Sequence, residues 1–451
     1  MSRVSEFQAV PEGWTPTTLG AIGKYLNGRA FKTSEWSRTG RPIIRIQDLT
    51  GSNRNPNFFE GKVEDRYVVQ PGDLLISWSA TLGAYIWEGP EAVLNQHIFK
   101  VESKINKRFH YHLVRKRIAE LKRSAHGSGM VHVTKGTFDS TPVAIPEDEK
   151  FQQRLADAID TADAQCAGAA AHLAAAKRTV ERFRHVLLIA ACSGRLTADW
   201  RENKDLRSGA ELVEAARERR IAELGHRFRE PEANHHANLA DYPASWEASQ
   251  LGLLLTEIKY GTSKRSQYGG NGVPILRIPN VSGDSLDTTD LKYAVLDPPE
   301  AEALRLGVGD LLMIRSNGSA QLVGKTVVVG EGAEGMGYAG YLMRLRTDPD
   351  AMAPPFLAQA LAAPQVRHQI EMPLRSTSGV NNINTGEVRG LVVPVPPLEE
   401  QAEIVRRVDQ LLAVADGLDQ RIEAASDRVE RSSQAVLAKA FRGELVSVTG
   451  S

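Results

Sequence analysis

Several common sequence signals are scarce in this chain of 451 residues. It has two cysteines, Cys166 and Cys192, and neither belongs to a CxxC pair of the kind that binds zinc. We therefore expect free thiols in a reducing compartment and predict a cytoplasmic protein. No run of about 20 apolar residues could cross a membrane. The first residues, MSRVSEFQAVPEGW, contain no apolar segment, so we expect no secretory signal and no membrane partner.

Familiar catalytic motifs are also missing. The segment SAQLVGKT at 319–326 resembles a phosphate-binding loop, but Ser319 stands where the first glycine is required, and the chain runs on into VVVG, which predicts a strand. No GxGxxG turn, HExxH pair or serine nucleophile elbow is found, and the pair His235-His236 lies in a polar link. We therefore predict no catalytic residues, no cofactor-binding residues and no metal site on this chain, and we interpret it as a recognition or assembly component.

Net charge gives little indication of a partner. Lysines and arginines number 55, as do aspartates and glutamates, so the formal charge is zero. Basic residues nevertheless concentrate between Lys100 and Lys135, where only Glu102 and Glu120 oppose them. A solvated helix face would explain this stretch as well as a nucleic-acid contact would.

A short phrase occurs twice in the chain. RPIIRIQDLTG at 41–51 returns as VPILRIPNVSG at 273–283. PEGWTPTTLG at 11–20 likewise returns as PASWEASQLG at 243–252. The spacing between the copies is too long for a solenoid repeat, which favours a duplicated module.

The repeat continues through both halves of the chain. PGDLLISWS at 71–79 corresponds to VGDLLMIRS at 308–316, and GSGMVHVTKG at 127–136 corresponds to STSGVNNINTG at 376–386. A proline stop follows in each copy, as PVAIP and then as VPVPP. The order is kept while the spacing drifts, as insertions in loops would cause. We interpret this pattern as duplication of a whole module.

Two segments carry a coiled-coil repeat. Apolar or small residues recur at alternating steps of four and three from Leu155 to Leu187, and again from Ile404 to Val436. A sustained 3.5-residue repeat is typical of helices that pack along a seam. The first stretch would be about 48 Å long. We predict that the two helices pack antiparallel and end at Gly194 and Gly443, since glycine favours helix C-termini.

The remaining sequence mixes short strand-like runs, such as PIIRI and DLLIS, with glycine-rich turns and helices near 108–124 and 354–371. We predict an α+β fold in which two duplicated globular α/β domains are separated by a long antiparallel two-helix coiled coil, with approximate two-fold symmetry. The predicted segments are a first globular domain (1–147), a first long helix (148–195), a charged connector with a helix near 209–225 (196–240), a second globular domain (241–394) and a second long helix (395–447).

Polar and basic side chains gather in loops of both globular domains. The loops are SWSATLG (77–83), LNQH (94–97), KRSAHGSGMVHVTK (122–135), RSNGSAQ (315–321) and RSTSGVNNINTG (375–386). Ser, Thr, Asn, Gln, His and Arg can hydrogen-bond base edges, and Lys and Arg bind phosphates. Solvated loops would have a similar composition, but their occurrence in both domains favours contact with DNA.

The order of these phrases resembles the specificity subunit of type I restriction–modification enzymes. PxxWxxxxLG, PI(I/L)RI, GDLL, a Ser-Gly loop and PPLEEQ before a long helix follow one another, and the resemblance covers 11–197 and 243–446. VPPLEEQAEIVRRVDQLL at 395–412 is its most specific part. The first copy departs from the pattern, since Lys150 and Phe151 stand where EEQ would begin.

The resemblance implies a non-catalytic subunit that recognises double-stranded DNA. Each globular domain would be a target recognition domain that reads one half of a bipartite sequence. The long helices would set the gap and dock two methyltransferase subunits, and motor-nuclease subunits would join the complex. S-adenosylmethionine, ATP and Mg²⁺ would be bound by those partners. The alternative is a coiled-coil scaffold that binds protein and has no DNA specificity.

By matching loop positions, we predict two sets of DNA-contact residues. They are Ser79, Arg123, Ser128, His132, Thr134 and Lys135 in the first domain, and Arg315, Asn317, Arg375, Ser378, Asn381, Asn382 and Asn384 in the second. Arg45 and Arg277 lie in apolar runs and are expected to brace their domains. Trp14 and Trp246 are expected in the core.

Overall fold

The computed structural model describes residues 10–53, 55–79, 81–124, 135–202, 204–237, 241–283, 285–372, 375–377 and 380–446. The chain divides into two compact units. The first is Met1–Ala174 with Glu423–Ser451, and the second is Ala175–Ile422. Within the described ranges, no helix is both long and apolar enough to cross a membrane.

The first unit begins with a domain of short strands. Its strands are β1 (Trp14–Thr18), β2 (Gly23–Asn27), β3 (Arg41–Ile44), β4 (Phe58–Phe59), β5 (Val68–Val69), β6 (Leu74–Ser77), β7 (Gly83–Ile86), β8 (Ala92–Leu94), β9 (Ile98–Ser103) and β10 (Pro142–Pro146). Its helices are α1 (Leu19–Ile22), α2 (Ile46–Leu49), α3 (Lys107–Ser124) and α4 (Lys135–Asp139). β6 reads LLIS and is buried at all four positions, as a central strand covered on both faces must be.

Two four-stranded sheets and one strand pair build this domain. β2, β9, β6 and β7 form an antiparallel sheet in that order. β4, β3, β8 and β5 form the second, in which β3 and β8 are parallel. β1 pairs with β10 and joins the start of the domain to its end. The main core includes Leu74, Phe99 and Phe109, so it lies between the first sheet and α3.

A long helix and a connector follow. α5 (Glu149–Cys192) has 44 residues, as the 3.5-residue repeat predicts. The connector contains α6 (Ala198–Arg201) and α7 (Gly209–Leu224). α7 begins at Ser208, whose hydroxyl accepts a hydrogen bond from the amide of Glu211, while the Glu211 carboxylate accepts one from the amide of Ser208. This reciprocal cap explains where the predicted connector helix starts.

The second unit contains another strand-rich domain and the second long helix. Its strands are β11 (Glu247–Gln250), β12 (Leu255–Tyr260), β13 (Val273–Leu276), β14 (Lys292–Ala294), β15 (Leu311–Ile314), β16 (Ser316–Asn317), β17 (Thr326–Val328), β18 (Gly337–Tyr338), β19 (Leu342–Thr347), β20 (Arg375–Thr377), β21 (Val380–Asn382) and β22 (Val392–Val395). Its helices are α8 (Ile278–Val281), α9 (Pro298–Ala303), α10 (Pro354–Ala362), α11 (Pro364–Glu371), α12 (Thr385–Gly390) and α13 (Leu398–Ala440), the last of which continues into the first unit. Because β17 follows Lys325 directly, SAQLVGKT leads into a strand and does not form a phosphate loop.

Strand order in the second unit follows that of the first. β12, β19, β15 and β17 form an antiparallel sheet in that order, as β2, β9, β6 and β7 do. β13 and β18 are parallel neighbours, as β3 and β8 are. β11 pairs with β22, as β1 pairs with β10. The repeated phrases of the sequence therefore fold into corresponding strands.

In the first unit, parts of α5 and α13 pack side by side. Leu155 and Ile159 share a core cluster with Ala440. Further along α5, the carboxylate of Asp163 accepts a hydrogen bond from the Ser433 hydroxyl at 3.2 Å. Residue numbers rise along one helix as they fall along the other, so the two segments run in opposite directions.

The second unit contains the other parts of these two helices. Leu187 shares a core cluster with Ile404 and Val408. Arg184, one turn earlier, pairs with Asp416 at 2.7 Å and Asp419 at 2.8 Å. These segments also run in opposite directions. The predicted seam is at least half buried except at Phe183, Leu418 and Ser432.

A glycine follows the end of each long helix within three residues: Gly194 after Cys192 and Gly443 after Ala440. Gly194 and Gly443 both have φ of +76°, a left-handed conformation that residues with a side chain rarely adopt. At Gly194 a Cβ atom would also approach Pro243 to 2.5 Å. Both positions therefore require glycine to turn the chain after the helix.

A buried carboxylate joins several elements of the second unit. Glu400, in the first turn of α13, is fully buried. It accepts hydrogen bonds from the Trp246 indole at 2.8 Å, from the Thr197 hydroxyl at 2.6 Å and from Nη2 of Arg201 at 2.8 Å. Trp246 is 5% exposed, as expected for a core residue. Charge-assisted hydrogen bonds of this kind are stronger than neutral ones because a partner is ionised, and burial in a low-dielectric site strengthens them further.

The matching junction of the first unit is aromatic. Phe151 precedes Gln152 as Glu400 precedes Gln401, so it occupies the equivalent place. Trp14 packs edge-on against Phe109 and Phe441, with ring centres 6.0 and 6.2 Å away. Its indole nitrogen is buried without a hydrogen-bond partner among the described residues. The departure from EEQ in the first copy is therefore a change from an ionic junction to an aromatic one.

Two buried histidines of α3 are neutral. Burial lowers the pKa of His110 to about 4, and the ring contacts the Tyr25 hydroxyl at 2.8 Å. Burial and the neighbouring Arg115 also lower the pKa of His112 to about 4. Arg115 donates to Nδ1 of His112 at 3.2 Å, so Nε2 carries the proton and donates to Asp160 at 2.7 Å. Both rings therefore stabilise the fold in their uncharged form.

We expect Glu400→Gln to lower the free energy of unfolding by about 3 kcal/mol, because it leaves the Arg201 guanidinium half-buried without its counterion. Urea unfolding monitored by tryptophan fluorescence measures the change. Glu399→Gln, at an exposed position in the same turn, is the matched control and should change stability by less than about 0.5 kcal/mol. Equal stability of the two variants would show that the buried carboxylate contributes nothing.

We also expect stability to fall as the pH drops from 6.5 towards 4. The folded pKa of His110 lies below its ordinary value, so only the unfolded chain gains a proton in this window. Each buried neutral ring makes its full contribution to the free energy of unfolding above pH 6.5. About 3 kcal/mol of that contribution should be lost as the pH approaches 4. Urea unfolding across this window should give a shallower pH dependence for His110→Gln than for the exposed control His172→Gln. The same pH dependence in both variants would contradict the assignment of His110 as a neutral buried ring.

Candidate nucleic-acid interface

Two polar loops that are distant in sequence lie side by side in the second unit. β16 pairs with β21, which places Ser316 opposite Asn382 and Asn317 opposite Asn381. β20 pairs with β21 as well. The amide of Ile383 donates to the carbonyl of Arg315 at 2.9 Å and extends this pairing. The small sheet therefore gathers predicted DNA-contact residues from both loops: Arg315, Asn317, Arg375, Asn381 and Asn382.

Asparagine side chains hydrogen-bond the loop that follows β16 in this small sheet. The side-chain oxygen of Asn317 accepts from the amide of Ser319 at 2.8 Å. The side-chain amide of Asn381 donates to the carbonyl of Gly318 at 3.1 Å. Both asparagines are half-buried, and Asn382 is exposed. Local hydrogen bonds thus fix polar groups at the surface, where they can meet a ligand.

Asn384 has a structural task. Its side-chain oxygen accepts from the amide of Glu387 at 3.0 Å, and the Glu387 carboxylate accepts from the amide of Asn384 at 2.8 Å. Asn384 is the N-cap of α12 in a reciprocal capping box. A contact with DNA through the side-chain oxygen of Asn384 would compete with the cap.

Arg315 lies at the end of the four-stranded sheet, directly after β15. Its Nη1 donates to the carbonyl of Gly340 at 3.0 Å, and its guanidinium carbon lies 4.5 Å from the centre of the Tyr260 ring. The Tyr260 hydroxyl accepts from the amide of Thr385 at 3.0 Å. Tyr341, whose carbonyl bonds the amide of Arg315, is 62% exposed. Stacking and hydrogen bonding therefore hold a half-buried cation at a surface with exposed aromatic rings.

The corresponding sheet of the first unit ends in different side chains. Trp78 follows β6, and its indole donates to the side-chain oxygen of Asn27 at 3.2 Å. Its ring lies edge-on to His97, with the centres 5.5 Å apart. Asn27 and His97 are exposed, and Trp78 is half-buried. Ser79, a predicted contact residue, comes next in the chain and is also half-buried.

The other predicted contact residues of the first unit are only partly described. Lys135 is an exposed residue at the start of α4. Arg123 lies in the last turn of α3. Ser128, His132 and Thr134 lie outside the described residues, as does Ser378 of the second unit.

Much of the basic stretch between Lys100 and Lys135 is used inside the fold. Arg108 pairs with Asp157 at 2.6 Å and also with Asp160. Arg115 pairs with Asp163 at 2.5 Å. These ion pairs fasten α3 to α5, because the acidic partners all belong to the long helix. The local excess of positive charge in the sequence is therefore largely compensated in three dimensions.

Arg45 and Arg277, which directly follow β3 and β13, contact residues of their own domains. Arg277 pairs with Asp290 at 2.9 Å and lies 5.7 Å from the centre of the Tyr268 ring. The guanidinium of Arg45 lies 5.5 Å from the centre of the Trp36 ring. These contacts agree with the predicted bracing role.

The sequence reasoning did not select the residues that flank Trp78 and Arg315. Asn27, Tyr260 and Tyr341 were not singled out, and His97 appeared only as part of a polar loop. The glycines after Asn27 and Tyr260 were a usable signal. A Cβ atom at Gly28 would lie 2.1 Å from the Asn95 carbonyl oxygen, and one at Gly261 would lie 2.3 Å from that of Ala339. Both glycines therefore mark the place where the backbone of a loop crosses the sheet end.

The sequence is similar to one family model and to several known proteins. Residues 11–173 match a family model described as the type I restriction modification DNA specificity domain. The EcoBI specificity subunit of Escherichia coli is 26% identical over 448 residues, which cover 97% of this chain and 88% of that subunit. The EcoKI specificity subunit of Escherichia coli K12 is 26% identical over 461 residues, which cover 97% of this chain and 90% of that subunit.

A solved structure shares the fold. It comes from work on the complex assembly and conformational transition of the type I R-M system. One of its chains superposes with a TM-score of 0.65 at 20% identity, covering 96% of this chain and 99% of that chain. Within the described residues, no group of three or more His, Cys, Asp or Glu side chains is arranged to hold a metal ion. The comparisons confirm the resemblance found in the sequence: over nearly its whole length, the chain is similar to specificity subunits of type I restriction–modification enzymes.

Proposed function

We propose that this chain is the DNA-recognition subunit of a cytoplasmic type I restriction–modification complex and that each unit reads one half of a bipartite target. The observation that carries this proposal is the repeated sheet end. In both units a four-stranded sheet of the same order terminates in hydrogen-bonding or aromatic side chains. Two equivalent readers with different side chains suit a target with two different halves.

The two domains would be the products of one duplication, related by approximate two-fold symmetry. The matched strand orders, the two glycine helix ends and the paired tryptophans support this proposal. In the second unit, polar groups from separate loops meet in one small sheet beside the sheet end. Such clustering is what recognition of base edges and phosphates requires.

The long helices would fix the number of base pairs between the half-sites and dock two methyltransferase subunits. Apolar side chains on these helices remain exposed in the second unit: Phe183 by 41%, Val186 by 53%, Val414 by 60% and Leu418 by 43%. Exposed apolar residues on one pair of helices are typical of a protein-binding surface. Motor-nuclease subunits would join the complex that forms.

The chain would do no chemistry of its own. Its partners would bind S-adenosylmethionine for methylation of adenine, and ATP and Mg²⁺ for translocation and cleavage. This subunit would supply the choice of sequence. The scaffold alternative lacks a reason for two equivalent clusters of base-reading side chains.

The direct test is reconstitution of the full chain with its methyltransferase subunits. We expect the complex to transfer labelled methyl groups to a random DNA library and to enrich a motif with two specified halves and a fixed gap. The isolated chain should transfer none. Enrichment of a single uninterrupted motif, or of no motif, would contradict the proposal and favour the scaffold alternative.

A second test shortens both long helices. Deleting residues 166–172 and 425–431, one heptad from each helix, preserves the seam register. At 1.5 Å per residue and 3.4 Å per base pair, we expect the unread gap to shorten by about three base pairs while both half-sites stay the same. Deleting only residues 166–172 is the matched control and should impair folding, because the facing helix keeps its full length. An unchanged gap in the double deletion would exclude a spacing role.

A further inference from the structure

Three side chains lie close together at the end of the main sheet in the first unit, and three occupy the corresponding backbone positions in the second. We define the sheet-end triad as Asn27, Trp78 and His97 in the first unit, and as Tyr260, Arg315 and Tyr341 in the second. Each triad contains the last residue of one strand, the residue after a second strand and the residue before a third.

Backbone hydrogen bonds fix the first triad. Ser77 lies opposite Ile98 in the sheet, and the next amide, that of Trp78, donates to the carbonyl of His97 at 3.3 Å. Asn27 lies opposite Phe99, and the amide of Gly28 donates to the carbonyl of Ile98 at 3.1 Å. The three side chains therefore stand at adjacent positions on one rigid sheet end.

The second triad has the same backbone connections. Ile314 lies opposite Leu342, and the amide of Arg315 donates to the carbonyl of Tyr341 at 2.9 Å. Tyr260 lies opposite Met343, and the amide of Gly261 donates to the carbonyl of Leu342 at 3.2 Å. Each member of one triad thus has a single structural counterpart: Asn27 with Tyr260, Trp78 with Arg315, and His97 with Tyr341.

The side-chain chemistry changes abruptly at the triad. Along the strand that follows His97 or Tyr341, the next residues are apolar and buried: Ile98 matches Leu342 and Phe99 matches Met343. At the triad, an amide matches a phenol, an indole matches a guanidinium and an imidazole matches a phenol. Purely structural positions would be expected to keep similar side chains on so similar a backbone. The difference begins where the side chains leave the core and can meet a ligand.

We propose that the sheet-end triads determine which bases each unit reads, with Trp78 and Arg315 at their centres. This inference rests on the proposed function and assigns its specificity to named residues. Each central side chain is positioned before DNA binds: Trp78 by Asn27 at 3.2 Å, and Arg315 by the Tyr260 ring at 4.5 Å. Such preorganisation lowers the entropy lost on binding.

The ligand of the second triad is a guanine edge in the major groove. Arginine donates to O6 and N7 of guanine, and this is the commonest specific contact with DNA. Nη1 of Arg315 donates one of its two hydrogens to the Gly340 carbonyl, and its second hydrogen together with those of Nη2 would meet O6 and N7 of the base. The exposed Tyr341 and Tyr260 rings would pack against neighbouring sugars or thymine methyl groups. The first triad has no arginine or lysine, so its half-site would differ.

The test uses the full chain in complex with its methyltransferase subunits. We expect Arg315→Gln to reduce the preference for guanine at one position of one half-site at least tenfold, with a shift towards adenine, which glutamine can bind. Replacing the second triad by the first (Tyr260→Asn, Arg315→Trp and Tyr341→His together) should convert base preference in that half-site only. Sequence selection from a random library measures both effects.

One control variant and one milder triad variant keep the result interpretable. Arg305→Gln changes an arginine of the same unit that is 61% exposed and outside the triad, and it should leave the motif unchanged. Tyr341→His alone changes a side chain that is 62% exposed, so it tests the triad if the other substitutions destabilise the unit. It should alter preference at one base pair.

The outcomes separate this inference from the function on which it rests. A wild-type complex without a bipartite motif would overturn the proposed function itself. A bipartite motif that none of the triad variants alters would overturn only the triad assignment. If Arg315→Gln lowers the affinity for all sequences equally and reduces the slope of log K against log salt concentration by about one, Arg315 is a phosphate contact. That outcome would also overturn its role in specificity.

Discussion

A buried glutamine in the first turn of each long helix ties that helix to the domain before it. Gln152 is 3% exposed, donates to the carbonyl of Pro146 at 2.8 Å and accepts from the amide of Asn106 at 3.0 Å. Gln401 is fully buried, donates to the carbonyls of Pro396 and Ala351 and accepts from the amide of Ala353. Each amide has its donor and its acceptor satisfied inside the protein. Rotating either helix would leave buried polar groups unpaired at about 1–3 kcal/mol each, so helix direction is fixed within each unit.

Around this shared glutamine, the two junctions differ in chemistry. In the second unit Glu400 combines an arginine, a threonine and Trp246 in one network, which must offset the cost of desolvating the charges. In the first, Phe151 and its aromatic neighbours avoid that cost, but the Trp14 nitrogen has no hydrogen-bond partner in the part of the chain that the structure describes. The departure of the first copy from the PPLEEQ phrase is therefore a local exchange of partners. It leaves the helix start and its direction unchanged because Gln152 is kept.

Sequence reasoning predicted the elements better than the surface. The alternating steps of four and three residues identified α5 and α13, and the repeated phrases identified corresponding strands, because both signals arise from core packing. The basic stretch before Lys135 was harder to interpret, since the partners of Arg108 and Arg115 lie on a distant helix. Trp78 and Arg315 align within PGDLLISWS and VGDLLMIRS. Their neighbours His97 and Tyr341 follow loops of different length, and only the hydrogen-bonding register of the sheet pairs them.

The same division between core and surface explains why specificity would reside at the sheet end more than in the loops. Loop residues such as Asn317 and Asn384 already hydrogen-bond the backbone, so replacing them disturbs the loop itself. At the triad positions the backbone is held by the sheet ladder, and the required close approach is met by Gly28 and Gly261 instead of by a side chain. Side chains there can change without loss of the framework. Because each triad lies on a sheet with its own core, one unit can acquire a new preference while the other keeps its own.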